Sequence, residues 1–255
     1  MKRLLLAVDI GNTSTTTALI AEGEVSALQR FPRINGVENN ILEASRIYAG
    51  AGVHTLVLGS VVPALTAVWK QKLPQLLGCE VWELIPGMPL EIAVNYPNPT
   101  TIGADRLANA VAAVRKVGAP VVVADFGTAL TFDIVTGDQG YIGGVIAPGI
   151  EMMYSYFGEK TALLPKLRPA PCDRVVGRST EQAMHAGAFF GYRGMVREIF
   201  TEIRKDLNLP DLKLLATGGF ASTVLRDFDE SVMVFPHLTL EGLAYAFQYA
   251  VTPPS

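Results

Sequence analysis

The stretch Leu4-Leu5-Leu6-Ala7-Val8-Asp9-Ile10-Gly11-Asn12-Thr13 decides how the rest of the chain is read. Its apolar run reads as a buried strand, and the strand carries a carboxylate, Asp9, to its end. Gly11 then lets the backbone turn with no Cβ in the way, so successive N–H groups can face an anion. Asn12 and Thr13 add side-chain donors. A plain hairpin turn uses the same residues, because Gly-Asn forms turns in its own right. Working outward, the grammar returns at Val121-Val122-Val123-Ala124-Asp125-Phe126-Gly127-Thr128-Ala129-Leu130-Thr131. Asp9, Gly11 and Thr15 align with Asp125, Gly127 and Thr131 without a gap. Two copies of a strand, an acid and a polar glycine loop point to a duplicated fold with a phosphate-bearing ligand between the copies.

Composition sets the bounds. A chain of 255 residues, 49% hydrophobic and 18% charged, has ample core for two packed lobes and is not disordered. The net charge of −3, with no Lys/Arg cluster, argues against a nucleic-acid surface. Met1-Lys2-Arg3 before the first apolar run imitates the head of a secretion signal, but Asp9 cuts that run short, so a mature N-terminus is expected. No apolar stretch reaches membrane-spanning length. Cys79 and Cys172 lack metal spacing and form no disulfide framework, which fits a reducing cytoplasm. His54, His185 and His237 are scattered and read as structural. Neither a G-x-x-x-x-G-K-[ST] loop nor a G-x-G-x-x-G fingerprint occurs, so a nucleotide has to be held another way.

Between the two copies, Val25 to Phe31 is expected to add a third strand to an antiparallel meander. A helix follows over Asn40 to Tyr48, then a buried strand near His54–Val61, a helix from Pro63 to Leu77 and a short strand at Val81–Leu84. This order suits a ribonuclease-H-like lobe. The stretch Asn95-Tyr96-Pro97-Asn98-Pro99-Thr100-Thr101-Ile102-Gly103-Ala104-Asp105-Arg106 reads as a rigid loop opening a helix at Asp105. Asp at a helix start is ordinary capping. Capping does not account for Arg106 beside it or for Tyr96 in a polar loop, whereas an acid and a guanidinium at one helix mouth offer a base for a hydroxyl and a clamp for a carboxylate. In the second half, Gly143-Gly144 signals a close backbone approach or a bulge. The helix from Thr180 to about Lys205 carries Gly187, Gly191 and Gly194, which persist most easily where another backbone comes near. The last helix, from Leu240 to Val251, has a regular core face.

In order along the chain, Asp9-Ile10-Gly11-Asn12-Thr13, Gly103-Ala104-Asp105-Arg106, Asp125-Phe126-Gly127-Thr128-Ala129-Leu130-Thr131 and Gly143-Gly144-Val145-Ile146-Ala147-Pro148-Gly149 resemble the type III pantothenate kinases. Gly177-Arg178-Ser179-Thr180, Thr217-Gly218-Gly219 and Leu238-Thr239-Leu240-Glu241-Gly242-Leu243 extend the resemblance over nearly the whole sequence. It implies an α/β protein of the actin, heat-shock ATPase and sugar-kinase superfamily, with two duplicated ribonuclease-H-like lobes, residues 1–118 and 119–255, of mixed sheets flanked by helices. It also implies an enzyme that phosphorylates pantothenate with ATP, the first step toward coenzyme A.

By that resemblance, Asp9, Ile10, Gly11, Asn12, Thr13, Ser14, Thr15 and Thr16 form the first phosphate loop, and Thr128 contacts the ATP phosphates. Asp9 sits in the outer shell of Mg²⁺, and Asp125 binds a monovalent cation, K⁺ or NH₄⁺. Tyr96, Gly103, Ala104, Asp105 and Arg106 hold pantothenate, and Asp105, at the ordinary low pKa of a carboxylate, takes the proton of its hydroxyl. Thr180 closes the pocket from the partner subunit of a homodimer, and Thr217-Gly218-Gly219 lies near the adenosine. Departures from the family pattern are the bulky Met152-Met153-Tyr154-Ser155-Tyr156-Phe157, Val176 and His237. Two other readings share these features: another small-molecule kinase of the superfamily, and a nucleotide-binding regulatory protein without turnover. Retention of Asp9, Asp105 and Asp125 together speaks against the second.

Overall fold

The structure, a computed structural model, describes residues 4–228 and 231–252. Met1-Lys2-Arg3, weighed above as the head of a signal, lies outside the described residues. Two five-stranded sheets carry the fold. The first takes β1 (Leu5–Ile10), β2 (Ser14–Ala21), β3 (Glu24–Pro32), β4 (Thr55–Ser60) and β5 (Glu80–Glu83), in the order β3-β2-β1-β4-β5. β1 runs antiparallel to β2 and parallel to β4. The second takes β6 (Val121–Phe126), β7 (Ala129–Thr136), β8 (Gly140–Pro148), β9 (Lys213–Thr217) and β10 (Val232–Val234), in the order β10-β9-β6-β7-β8. Counted within each half, both sheets read third, second, first, fourth, fifth. The duplication inferred from two Asp-x-Gly loops is therefore a duplication of sheet topology.

The helices are α1 (Val37–Tyr48), α2 (Pro63–Leu77), α3 (Ala104–Val117), α4 (Ile150–Lys160), α5 (Thr180–Leu207), α6 (Ala221–Val224) and α7 (Leu238–Val251). The chain groups into two compact units. The first holds residues 1–118, 135–143 and 237–255, and the second holds 119–134 and 144–236.

In the first unit, side chains of β1 alternate between faces as strand geometry requires. Leu6, Val8 and Ile10 join a buried cluster with Ile41, Tyr48, Trp69 and Leu73 of α1 and α2. Leu5, Ala7 and Asp9 take the opposite face, toward α7, which packs on β1, β4 and α3. Small residues permit that packing. A Cβ on Gly59 would lie 2.6 Å from Leu243 Cδ2. Gly242 is tighter still: its Cβ would overlap the carbonyl of Ala108 in α3. Thr239 Oγ1 donates to Asn109 Oδ1 at 2.8 Å, and Lys116 pairs with Glu241 at 2.9 Å. The last helix, expected as a core helix, is thus clamped backbone to backbone on the helix that begins at Asp105.

In the second unit, β6 is buried from Val121 to Ala124, and Phe132 meets Phe200 of α5 edge to face at 5.3 Å. Ser179 caps α5 by accepting the Gln182 N–H at 3.2 Å, while Gln182 Oε1 accepts the Arg178 N–H at 2.8 Å. The pair resembles a capping box, with the returning bond shifted to the residue before the cap. Among the bulky residues that depart from the family pattern, Tyr154 is buried and its hydroxyl bonds His185 Nδ1 at 2.9 Å. Met152, Tyr156 and Val176 are exposed.

Candidate active site

The first loop is a tight turn closed by the Gly11 N–H on Ser14 O at 3.0 Å. Asp9 pairs with Thr16, and Ile10 with Thr15, across the hairpin. The turn is braced from outside: Arg33 N–H donates to Thr13 O at 2.9 Å, and Arg30 Nε donates to Ser14 Oγ at 2.9 Å. Arg30 went unnoticed in the sequence; its strand position opposite Thr16 is visible only once the register is known.

The loop and the acid–guanidinium pair belong to one neighbourhood. Val61 N–H donates to Ile10 O at 3.1 Å, and the Val61 side chain lies 3.3 Å from where a Gly103 Cβ would stand. Gly103 precedes α3, and any Cβ there would overlap Asp105 Oδ1. Glycine therefore gives the carboxylate its position. Asp105 is not the cap of α3, since Gly103 holds that place. Its Oδ1 instead accepts the Arg106 N–H at 2.8 Å. Burial pushes the Asp105 carboxyl above the usual carboxylate range, against the opposing pull of that N–H and of the Arg106 charge. The ordinary low pKa expected from sequence does not hold, because sequence spacing carries no measure of desolvation.

Tyr96 stands next to this pair through Tyr141. The two rings meet edge to face at 6.2 Å, and the Arg106 guanidinium lies 6.0 Å from the Tyr141 ring centre. Gly143, with φ +125, lets the chain pass the Tyr96 ring, from which a Cβ would be only 3.3 Å away. The close approach anticipated at Gly143-Gly144 is thus an approach to Tyr96. Tyr141 itself was missed, since one aromatic among glycines gives no signal of what it touches.

In the second unit the Asp125-Phe126-Gly127-Thr128 turn is enclosed by backbone. Gly149 at the start of α4 leaves no room for a Cβ, which would sit 2.6 Å from Gly127 O. Gly218, at φ +91, abuts Asp125, with a Cβ falling 2.6 Å from Oδ1, and Thr217 pairs with Asp125 across β9 and β6. The two motifs Gly143–Gly149 and Thr217–Gly219 thus both reach this turn. Tyr192 of α5, 1% exposed, meets Phe126 at a tilt, with ring centres 6.4 Å apart. Its hydroxyl lies near the Ile150 backbone but makes no well-formed hydrogen bond. Burial raises its pKa, and the charge of Asp125 adds to the rise.

A carboxylate at a strand end, a cradle that a Cβ would fill and a buried hydroxyl lacking a partner are a donor set that fits an oxygen-bound monovalent cation. Among the described residues, no three or more His, Cys, Asp or Glu side chains gather as a metal cage. Mg²⁺ carried on phosphates needs only one or two carboxylates and water. Thr180 opens α5 in this unit and is exposed. No described helix is long and apolar enough to cross a membrane.

The sequence description of the type III pantothenate kinases matches residues 5–202. A type III pantothenate kinase from Methylacidiphilum infernorum is 40% identical over 240 residues, covering 94% of this chain and 86% of the relative. One from Akkermansia muciniphila is 38% identical over 240 residues, covering 93% and 96%. Among solved structures, a ROK family glucokinase from Streptomyces griseus, in complex with glucose and AMPPNP, superposes with a TM-score of 0.50 at 15% identity. That match covers 96% of this chain and 99% of the glucokinase. At such low identity it shows a shared fold and no more.

Proposed function

The chain belongs to the type III pantothenate kinase family, an ATP-dependent phosphotransferase family of coenzyme A biosynthesis, and we propose that Asp105 and Arg106 receive pantothenate. The observation that carries this reading is the part-buried acid held by Gly103 beside a guanidinium, joined to the Asp9 loop through Val61. The reaction moves the γ-phosphoryl group of ATP to the primary hydroxyl of pantothenate, giving 4′-phosphopantothenate and ADP.

Phosphoryl transfer asks the protein for position and charge neutralisation more than for covalent chemistry. The Gly11 turn, from Asp9 to Thr16, presents N–H groups and hydroxyls to phosphate oxygens, and Thr128 does so from the second loop. Asp9 would hold the divalent metal that accompanies ATP, which would neutralise charge on the phosphates. Asp105 orients the substrate hydroxyl and accepts its proton. Arg106 binds the carboxylate, and Tyr96 walls the pocket with Gly103 and Ala104. Asp125 would hold K⁺ or NH₄⁺, which would offset the cost of a carboxylate at the end of a buried strand. A coupled ADP-release assay tests both claims. Pantothenate should outrun a panel of sugars and short hydroxy acids, and activity should fall in buffer holding only sodium or a bulky organic cation. A sugar as the better acceptor would overturn the substrate. Equal rates without potassium or ammonium would overturn the cation.

The homodimer is supported by α5. Ala183, Gly187 and Gly191 recur at four-residue intervals on its exposed side, and a Cβ on either glycine meets nothing within 4 Å among the described residues. Such a smooth stripe suits a second helix at close range. Exposed Leu163, Val175 and Val176 supply apolar surface in the same unit. In a shared site, Asp105 of one chain works with Thr180 of the partner subunit. The inactive variants Asp105→Asn and Thr180→Val should then rescue each other after subunit exchange, restoring up to half the activity per mixed dimer. Proven exchange with no recovery would sink the shared site and leave the kinase assignment standing. The division into lobes 1–118 and 119–255, and a cytoplasmic place of work, belong to the same reading.

A further inference from the structure

The tip of the β7–β8 hairpin, residues 135–143, is docked on the Tyr96 loop within the first unit. Asn95 N–H donates to Tyr141 O, and Tyr141 N–H donates to Ala93 O, each at 2.9 Å. Val94 and Tyr141 thereby form a parallel bridge, and Asn95 Nδ2 donates to Gln139 Oε1 at 2.8 Å. Gly140, at φ +75, makes the approach possible, since a Cβ there would fall 2.7 Å from the Ala93 carbonyl carbon. Tyr141 therefore has a fixed backbone on both sides. Its side chain is 0% exposed, and it carries the Tyr96 edge-to-face contact and the Arg106 guanidinium.

An arginine recognises a carboxylate through a planar fork, so the plane of the guanidinium matters as much as its charge. A free arginine side chain samples many rotamers and has to lose them on binding. An aromatic ring beneath it attracts the cation and limits its orientations. We propose that Tyr141 is the positioning residue of the substrate carboxylate clamp, setting the plane of Arg106 and the tilt of Tyr96. This rests on the reading that Arg106 binds the carboxylate of pantothenate.

The test compares pantothenate with a neutral analogue in which a primary alcohol replaces the carboxylate, using the full-length enzyme. The readout is the ratio of kcat/KM values for the two acceptors, with KM for ATP and the melting temperature measured alongside. Tyr141→Leu should lower that ratio about tenfold, the scale of a lost cation–π contact, with KM for ATP unchanged. Tyr141→Phe keeps the ring and should stay within about twofold of the parent ratio. Tyr141→Met fills a similar volume without a ring face and gives the same reading should the leucine variant not fold. Arg106→Gln tests the carboxylate clamp separately from the role of Tyr141. If it leaves the ratio unchanged, the carboxylate clamp itself is wrong. If it lowers the ratio while a folded Tyr141→Leu or Tyr141→Met keeps it, the clamp stands and the positioning role of Tyr141 is overturned. A fall in activity toward both acceptors alike, tracking the melting temperature, would likewise mark Tyr141 as structural only.

Discussion

Replacing Asp105 with asparagine is expected to lower turnover about 10²- to 10⁴-fold, the usual contribution of a general base, while making the fold more stable at neutral pH. The first effect comes from losing the proton acceptor, the second from burial. The carboxyl is desolvated, and the Arg106 N–H and charge offset only part of the cost of ionising it, so its pKa is raised. A raised carboxyl pKa means that the folded chain binds the proton more tightly than the unfolded chain. The stability it contributes is present below the ordinary value of 3.8 and is lost as pH rises through the raised one. Asparagine keeps the shape and cannot ionise. Parent and variant should therefore unfold alike at the acid end and diverge above that window, with the variant the more stable. Urea unfolding across pH measures the gap. The same titration should set the acid limb of kcat/KM in the parent, with activity rising as Asp105 loses its proton. A variant within a factor of two of parental turnover would remove Asp105 as the base, and a variant less stable at neutral pH would contradict its unfavourable burial.

Gly242→Ala should damage the molecule far more than its single carbon implies. Alanine normally gains about 1 kcal/mol over glycine inside a helix. Here the added Cβ would overlap the Ala108 carbonyl and stand 2.9 Å from its Cα, so the obstacle is backbone and no rotamer relieves it. Overpacking of a filled core costs about 1–3 kcal/mol and occasionally more, and a contact of this kind belongs at the upper end. The net loss should be about 2 kcal/mol, read as a lower urea midpoint at unchanged slope. Activity should fall as well, because α3 is the element pushed aside and Asp105 lies in its first turn. A midpoint equal to or above that of the parent would show that the α3–α7 contact yields easily.

Much of this was legible in the chain. The Asp-x-Gly repeat fixed two matching halves because a strand delivering an acid to a glycine turn is a local pattern, complete within about ten residues. The helix Pro63–Leu77 and the start of α5 at Thr180 were readable for the same reason, since proline at a first turn and Ser179 three residues before Gln182 act on the backbone beside them. Gly103-Ala104-Asp105-Arg106 named the acid and the guanidinium through their adjacency.

What the sequence could not hold are the relations set by long-range packing. The Asp105 carboxyl is raised only because folded neighbours take its water away. Tyr141 reaches Arg106 and Tyr96 only because Gly140 lets a hairpin tip dock on residues 93–95. Gly242 reads as a weak helix residue until α7 is laid on α3. Gly149 and Gly218, far apart in the chain, meet at the Asp125 turn only after β6 and β9 have paired. Residue type and local spacing determined which chemical groups this protein has and where its strands and helices lie. Desolvation and backbone-to-backbone contact, which exist only between segments remote in sequence, decided how those groups are charged and held.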